Sequence, residues 1–154
     1  MPKLLAFLPC EKVVIEQGTN NVSVDSLIET LSVTVPQGTL TVPEGTVVPM
    51  TWATFALFEK ETGDSGEFES RSELYAHSGV RLFQTAIGKW QFKNDAMRHS
   101  VIAKINGMPI WVPGICKLKL MLKAPGDTDF KVVQEVAIRI KHEATRQQSG
   151  EATH

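Results

Sequence analysis

The stretch Val112-Pro113-Gly114-Ile115-Cys116-Lys117-Leu118-Lys119-Leu120-Met121-Leu122-Lys123 constrains this chain more than any other. After its Pro-Gly turn, Cys116, Leu118, Leu120 and Leu122 share one parity, while Lys117, Lys119 and Lys123 share the other. Successive side chains of a strand point to opposite faces, so one apolar face is backed here by one charged face. Met121 alone puts an apolar side chain among the lysines. A half-buried strand of this kind belongs in an antiparallel sheet with one face in water. Its apolar face requires a second layer, either another sheet or a helix.

The rest of the chain offers sheets. Segments 4–8 and 12–15 form a first strand interrupted by Pro9, which predicts an edge or a crossing between sheets. Segment 22–35 is a second, long strand whose phase breaks: Val22 and Val24 stand on even positions, Leu27, Leu31, Val33 and Val35 on odd ones. Such a flip predicts a β-bulge near Asp25-Ser26. Segment 36–45, punctuated by prolines and glycines, reads as an extended crossover between sheets. Segment 47–60 is apolar on both parities, through Trp52, Ala56 and Phe58 on one and Ala53, Phe55 and Leu57 on the other. That pattern predicts a central strand covered on both faces.

Segments 68–76 and 80–87 form a hairpin through His77-Ser78-Gly79, with Glu69, Arg71 and Glu73 on a solvated face. Segment 88–97 is a loop carrying Trp90 and Phe92. Segment 98–106 is a strand with Val101, Ala103 and Ile105 inward. The last strand, 130–140, turns Phe130, Val132, Val136, Ile138 and Ile140 inward, and Gln134 breaks its pattern. The fold class is therefore all-β: an antiparallel two-sheet sandwich of about eight strands, immunoglobulin-like or C2-like. A closed barrel of about eight strands is the alternative. Residues 1–141 make a single domain, and 142–154, which have almost nothing to bury, predict a flexible polar tail.

Charge narrows the partners. A formal net charge of −1 gives no electrostatic footprint for nucleic acid and no attraction to an anionic membrane. The apolar run 4–8 is shorter than the roughly 7–15 residues of an export signal, so a cytoplasmic location is expected. Cys10 and Cys116 both fall in strand-like stretches and read as buried, reduced thiols. A disulfide between them requires Cα atoms within about 7 Å.

Hairpin connections throughout bring the loops 61–67, 88–97 and 124–129 to one end, which collects Asp64, Asp95, Asp127 and Asp129 beside Trp90 and Phe92. Asp64, Asp127 and Asp129 are candidate ligands for a hard cation such as calcium. Ordinary turn chemistry is the competing role for each. Trp90 and Phe92 are candidate anchors for a partner, or else fold back onto the core. No histidine pair has metal-ligand spacing, and Gly63-Asp64-Ser65-Gly66 does not form a nucleophile elbow. No phosphate loop or dinucleotide fingerprint is present, and no cofactor is expected. The expectation is a non-enzymatic interaction module whose loops or exposed edge strand bind a protein, possibly its own copy. A loop-end small-ligand or calcium-binding module is the alternative, and an enzyme of unidentified type the second alternative.

Ala6-Phe7-Leu8-Pro9-Cys10-Glu11-Lys12-Val13, Val24-Asp25-Ser26-Leu27-Ile28, Trp52-Ala53-Thr54-Phe55-Ala56-Leu57 and Pro113-Gly114 together resemble a small bacterial family of single-domain β-sandwich proteins, a domain of unknown function. The resemblance covers nearly the whole chain short of the tail. It implies a bacterial, cytosolic β-sandwich and brings no catalytic residue with it. Cys10-Glu11-Lys12 looks like the family's signature. An exposed Cys10 would be a candidate reactive thiol, whereas a buried one is inert.

Overall fold

The computed structural model describes residues 1–19, 21–36 and 42–144. Its organising strand is β9 (Gly114–Lys123), flanked by β10 (Lys131–Ala144) and β5 (Phe68–Tyr75). Cys116, Leu118, Leu120 and Leu122 are all buried, and the alternating lysines lie on the opposite face. Beyond β10 lies β3 (Thr30–Val35); beyond β5 lie β6 (Arg81–Gln84) and the short β7 (Gly88–Trp90). These strands form a six-stranded sheet. The facing four-stranded sheet has the order β2 (Val22–Leu27), β1 (Lys3–Ile15), β4 (Val47–Glu59), β8 (Arg98–Pro109). The described residues contain no helix.

The all-β fold in two sheets matches the expectation and the sheets are open rather than a closed barrel, but there are ten strands among the described residues instead of about eight. Two strands were added by local chemistry. Segment 22–35 is β2 and β3, in different sheets, rather than one bulged strand. Ser26 does take a positive φ of 57° at the predicted break. The chain then leaves one sheet for the other. Buried Ile28 donates its N–H to Pro9 O at 2.9 Å in the first sheet, and Glu29 O accepts the Arg139 N–H at 2.9 Å in the second. The phase flip is a change of layer. The second addition is β7, which lies within the predicted loop 88–97 and pairs Trp90 with Phe68.

One pair departs from the antiparallel expectation. β3 runs parallel to β10, from Thr30 beside Arg139 to Val35 beside Ala144. β10 therefore extends past Lys141, and residues 142–144 are strand rather than tail. His142, expected in water, sits with Nε2 2.6 Å from Ile110 O. The remainder of the predicted tail, and 37–41 of the predicted crossover, lie outside the described residues. Gln134 is explained by a bulge: the register against β9 shifts between Val132 and Gln134, so Val133 packs against the core and Gln134 stays exposed.

The core fills the space between the layers with Phe7, Trp52, Phe58, Leu74, Leu118 and Ile138, among others. β4 lies between β1 and β8 and is covered on both faces from Trp52 to Phe58, as predicted, whereas Val47, Pro49 and Thr51 at its start are exposed. The Trp52 indole donates to Gly107 O at 2.9 Å, so its burial leaves no orphan donor. Gly107 has φ 92°, and a Cβ there would stand 2.5 Å from Val47 Cγ1, so this position requires glycine. The crossing at Ile28 ties the sheets together along one side. Along the other, β8 faces β6 and β7 without a connecting strand.

Candidate functional site: the open cleft between two sheet edges

The cleft begins with side-chain size. The inward parity of β5 reads Phe68, Ser70, Ser72, Leu74, and that of β4 reads Trp52, Thr54, Ala56, Phe58. β8 adds Val101, Ala103 and Ile105. Large residues stand at the ends of each row and small ones in the middle. Interiors pack densely only when facing volumes are complementary. Here they are not, and a cavity of about 240 Å³ opens among Thr54, Ala56, Ser70, Ser72, Ala103 and Leu120. Thr54 Oγ1 and Ser72 Oγ lie 3.3 Å apart and share a hydrogen bond across the two sheets.

A second cavity of about 440 Å³ adjoins it, walled by Leu82, Phe83, Ile105, Pro109 and Trp111. The two share Thr85, Ala86 and Lys104 and form one cleft along the open side. One lip is the unpaired edge of β8. Among the described residues β8 is paired only with β4, from Arg98 beside Glu59 to Pro109 beside Val47. The other lip is the interrupted edge of β6 and β7. Thr85 causes the interruption. Its N–H donates to Ser72 O at 2.9 Å, but the Ser72 N–H is accepted at 2.9 Å by the Thr85 hydroxyl, which stands in for the carbonyl. The regular ladder is thereby interrupted between Gln84 and Gly88, beside the cavity.

Charge around the cleft is one-sided. Neither cavity has an aspartate or glutamate in its wall. Lys104 is exposed, and no ion pair among the described residues engages it. Arg71 is already committed on the outer face, with Nε donating to Glu73 at 2.7 Å and its guanidinium 4.4 Å from the Phe130 ring centre. No protein-family model matches the chain, and no curated protein matches it.

The aromatic candidates do not line this cleft. Trp90 is 8% exposed, stacked on Phe68 at 4.7 Å, on Phe58 at 5.0 Å and on His99 at 4.8 Å. Half-buried Phe92 meets the Trp90 ring edge-on at 5.4 Å. The pair folds back onto the core because the short strand β7 draws Trp90 inward. Burial, and then the nearby Lys93 charge, hold the His99 imidazole below its ordinary range.

The carboxylates serve separate turns. Asp64 is buried, with Oδ1 2.9 Å from the Met1 amino group and Oδ2 accepting the Glu61 N–H at 2.8 Å. Asp127 accepts the Ala124 N–H at 3.2 Å, and Asp129 accepts the Thr128 hydroxyl at 3.4 Å. Among the described residues no group of three or more histidine, cysteine or acidic side chains is placed to hold a metal. Cys10 and Cys116 are free and buried, and burial raises both thiols. Their thiol protons are thus held against the loss that nucleophilic chemistry requires.

Glu73, expected in solvent, is 2% exposed on the outer face of the six-stranded sheet. Burial alone raises its carboxyl. The Tyr75 hydroxyl, the Arg71 guanidinium and the more distant Arg81 charge outweigh that and hold it below the ordinary range.

Proposed function

We propose that this chain is a non-enzymatic interaction module that takes an extended segment of a partner protein along β8. One observation carries the proposal: a 12-residue strand bonded to β4 on one side and bordered by an open cleft on the other. Unpaired strand edges bind extended backbone through main-chain hydrogen bonds, and adjoining pockets read alternate side chains. A second copy of this chain is one form such a partner can take. Membership of the small bacterial family and an immunoglobulin-like or C2-like sandwich belong to the same proposal. The facing sheets and the layer crossing at Ile28 support the latter. A cytoplasmic location is also proposed, supported by two free thiols. Among the described residues no helix is long and apolar enough to cross a membrane.

The test is selection of random nine-residue peptides displayed on phage, followed by amide hydrogen exchange with an enriched peptide bound. Slowed exchange across Val101, Ile102, Ala103, Lys104 and Ile105 is expected. Enrichment of no peptide, or protection confined to another surface, overturns the proposal. A small molecule in the 240 Å³ cavity is the second reading, favoured by the Ser70, Ser72 and Thr54 hydroxyls in its wall. It predicts a thermal shift with small hydroxyl-binding compounds and no protection along the β8 edge.

A further inference from the structure

The two halves of the cleft differ in size and chemistry, and Lys104 stands where they meet. The smaller half is walled by hydroxyls and small side chains; the wider half is walled by Leu82, Phe83, Ile105 and Trp111. Along β8 these features have a fixed order. Ala103 borders the smaller cavity, Ile105 borders the wider one, and both share the inward parity. Lys104 has the opposite parity and lies on the outer face, beside Ala53 on β4.

A strand added to β8 inherits this alternation, because neighbouring strands keep their side chains on matching faces. Its residue beside Ala103 turns into the narrow, hydroxyl-lined space. Its residue beside Ile105 turns into the wide apolar space. The residue between them turns outward, next to an ammonium group with no ionic partner among the described residues and no acid in the adjoining walls. Resting on the strand-addition reading, we infer that the occupant of the β8 edge is an extended protein segment bearing three consecutive residues: one small, one acidic, one large and apolar. The acidic side chain pairs with Lys104. The small and the large apolar side chains fill the two cavities. A strand of basic or uniformly bulky residues is rejected, by like charge at Lys104 or by the narrow cavity.

The same peptide selection tests this separately from the reading beneath it. Enriched sequences are expected to share a triplet with an acidic centre between a small and a large apolar residue, the small one first if the peptide runs parallel to β8 and the large one first if it runs antiparallel. A fluorescein-labelled peptide carrying the triplet in its enriched order, Ser-Glu-Phe or Phe-Glu-Ser, then serves as probe for fluorescence anisotropy. Lys104→Glu, a change at an exposed position, is expected to weaken the probe about tenfold. The same peptide with lysine in place of its glutamate is expected to recover that affinity on the Lys104→Glu protein and to bind the unaltered protein poorly. Ala103→Leu, which narrows the small cavity, is expected to weaken the probe as well. Peptides that protect β8 without the triplet, or charge reversal that neither weakens nor rescues binding, overturn the inference and leave strand addition standing. Enriched peptides that protect no part of β8 overturn both.

Discussion

Trp90 and Glu73 show how single side chains are held in this molecule. The Trp90 ring lies among Phe58, Phe68, Phe92 and His99, and its Nε1–H has no hydrogen-bond partner among the described residues. Its contribution is therefore apolar contact and ring stacking. Trp90→Ala is expected to lower unfolding free energy by about 3–5 kcal/mol in urea titration. Trp90→Phe keeps a ring and removes an orphan donor, so its loss should be far smaller. An anchor for a partner would give the reverse: little change in stability and a loss of binding. Glu73 makes a prediction about pH. Its carboxyl is held below the ordinary value of 4.5 in the folded state. The stabilisation it brings is fully present above that ordinary value and disappears as pH falls through the lower, folded one. Glu73→Gln should consequently flatten the stability profile measured between about pH 5 and pH 3, and the unaltered protein should steepen there. The cleft residues themselves were visible in outline. Ser70 and Ser72 sit on the parity of Phe68 and Leu74, so alternation alone puts two hydroxyls indoors. The acidic residues around them drew attention to the other face. That Glu73 is buried was not legible, because its cover comes from Tyr75 beside it and from two neighbouring strands.

Elements were legible where the period-two pattern ran unbroken, as in β9 and β5, or where both parities were apolar, as in the second half of β4. Periodicity reports which face a residue takes, not which strand lies beside it. The flip within 22–35 was therefore plain while its meaning was not. A bulge and a change of layer both reverse parity, and only the bonds from Ile28 to Pro9 and from Arg139 to Glu29 distinguish them. The same limit hid the parallel pairing of β3 with β10, since its partners are separated by more than a hundred positions, as Thr30 is from Arg139. The end of β10 looked too polar to be ordered. It is held by a backbone ladder against β3 and by the contact from His142 to Ile110 O at 2.6 Å, neither of which requires an apolar side chain. A chain ended at Lys141 is expected to be less stable than one ended at Ala144 by about 1–3 kcal/mol, the size of one or two lost hydrogen bonds. Equal urea midpoints for the two would mean that β10 gains nothing from its last turn of pairing.

At the scale of the whole molecule, one side of the sandwich is sewn shut and the other is left ajar. The closed side carries the crossing at Ile28; the open side carries two edges with no backbone pairing to each other and small residues between them. At the acidic loop end Asp64, Asp127 and Asp129 each serve their own turn and do not converge on one point. Millimolar calcium is accordingly expected to leave the melting temperature unchanged, where a stabilising cation site would raise it. The open side invites a sharper test. Ser70, Ser72, Thr54 and Ala56 forgo apolar burial that larger residues would provide, because an added methylene buried in an empty apolar space is worth about 0.8 kcal/mol. A cleft that exists only as a packing fault should accept such a filling with no functional loss. A cleft kept for a partner should accept it too, but binding should fall as stability rises, as is common when function holds a site below its most stable packing. Ser70→Val places two methyl groups in the 240 Å³ cavity without touching the hydrogen bond between Thr54 and Ser72. It is expected to raise unfolding free energy by about 1 kcal/mol and to abolish capture of peptides that protect β8. If the variant is stabilised and still selects the same peptides with the same exchange pattern, the partner's side chain does not enter between the sheets. The β8 edge would then act through its backbone alone.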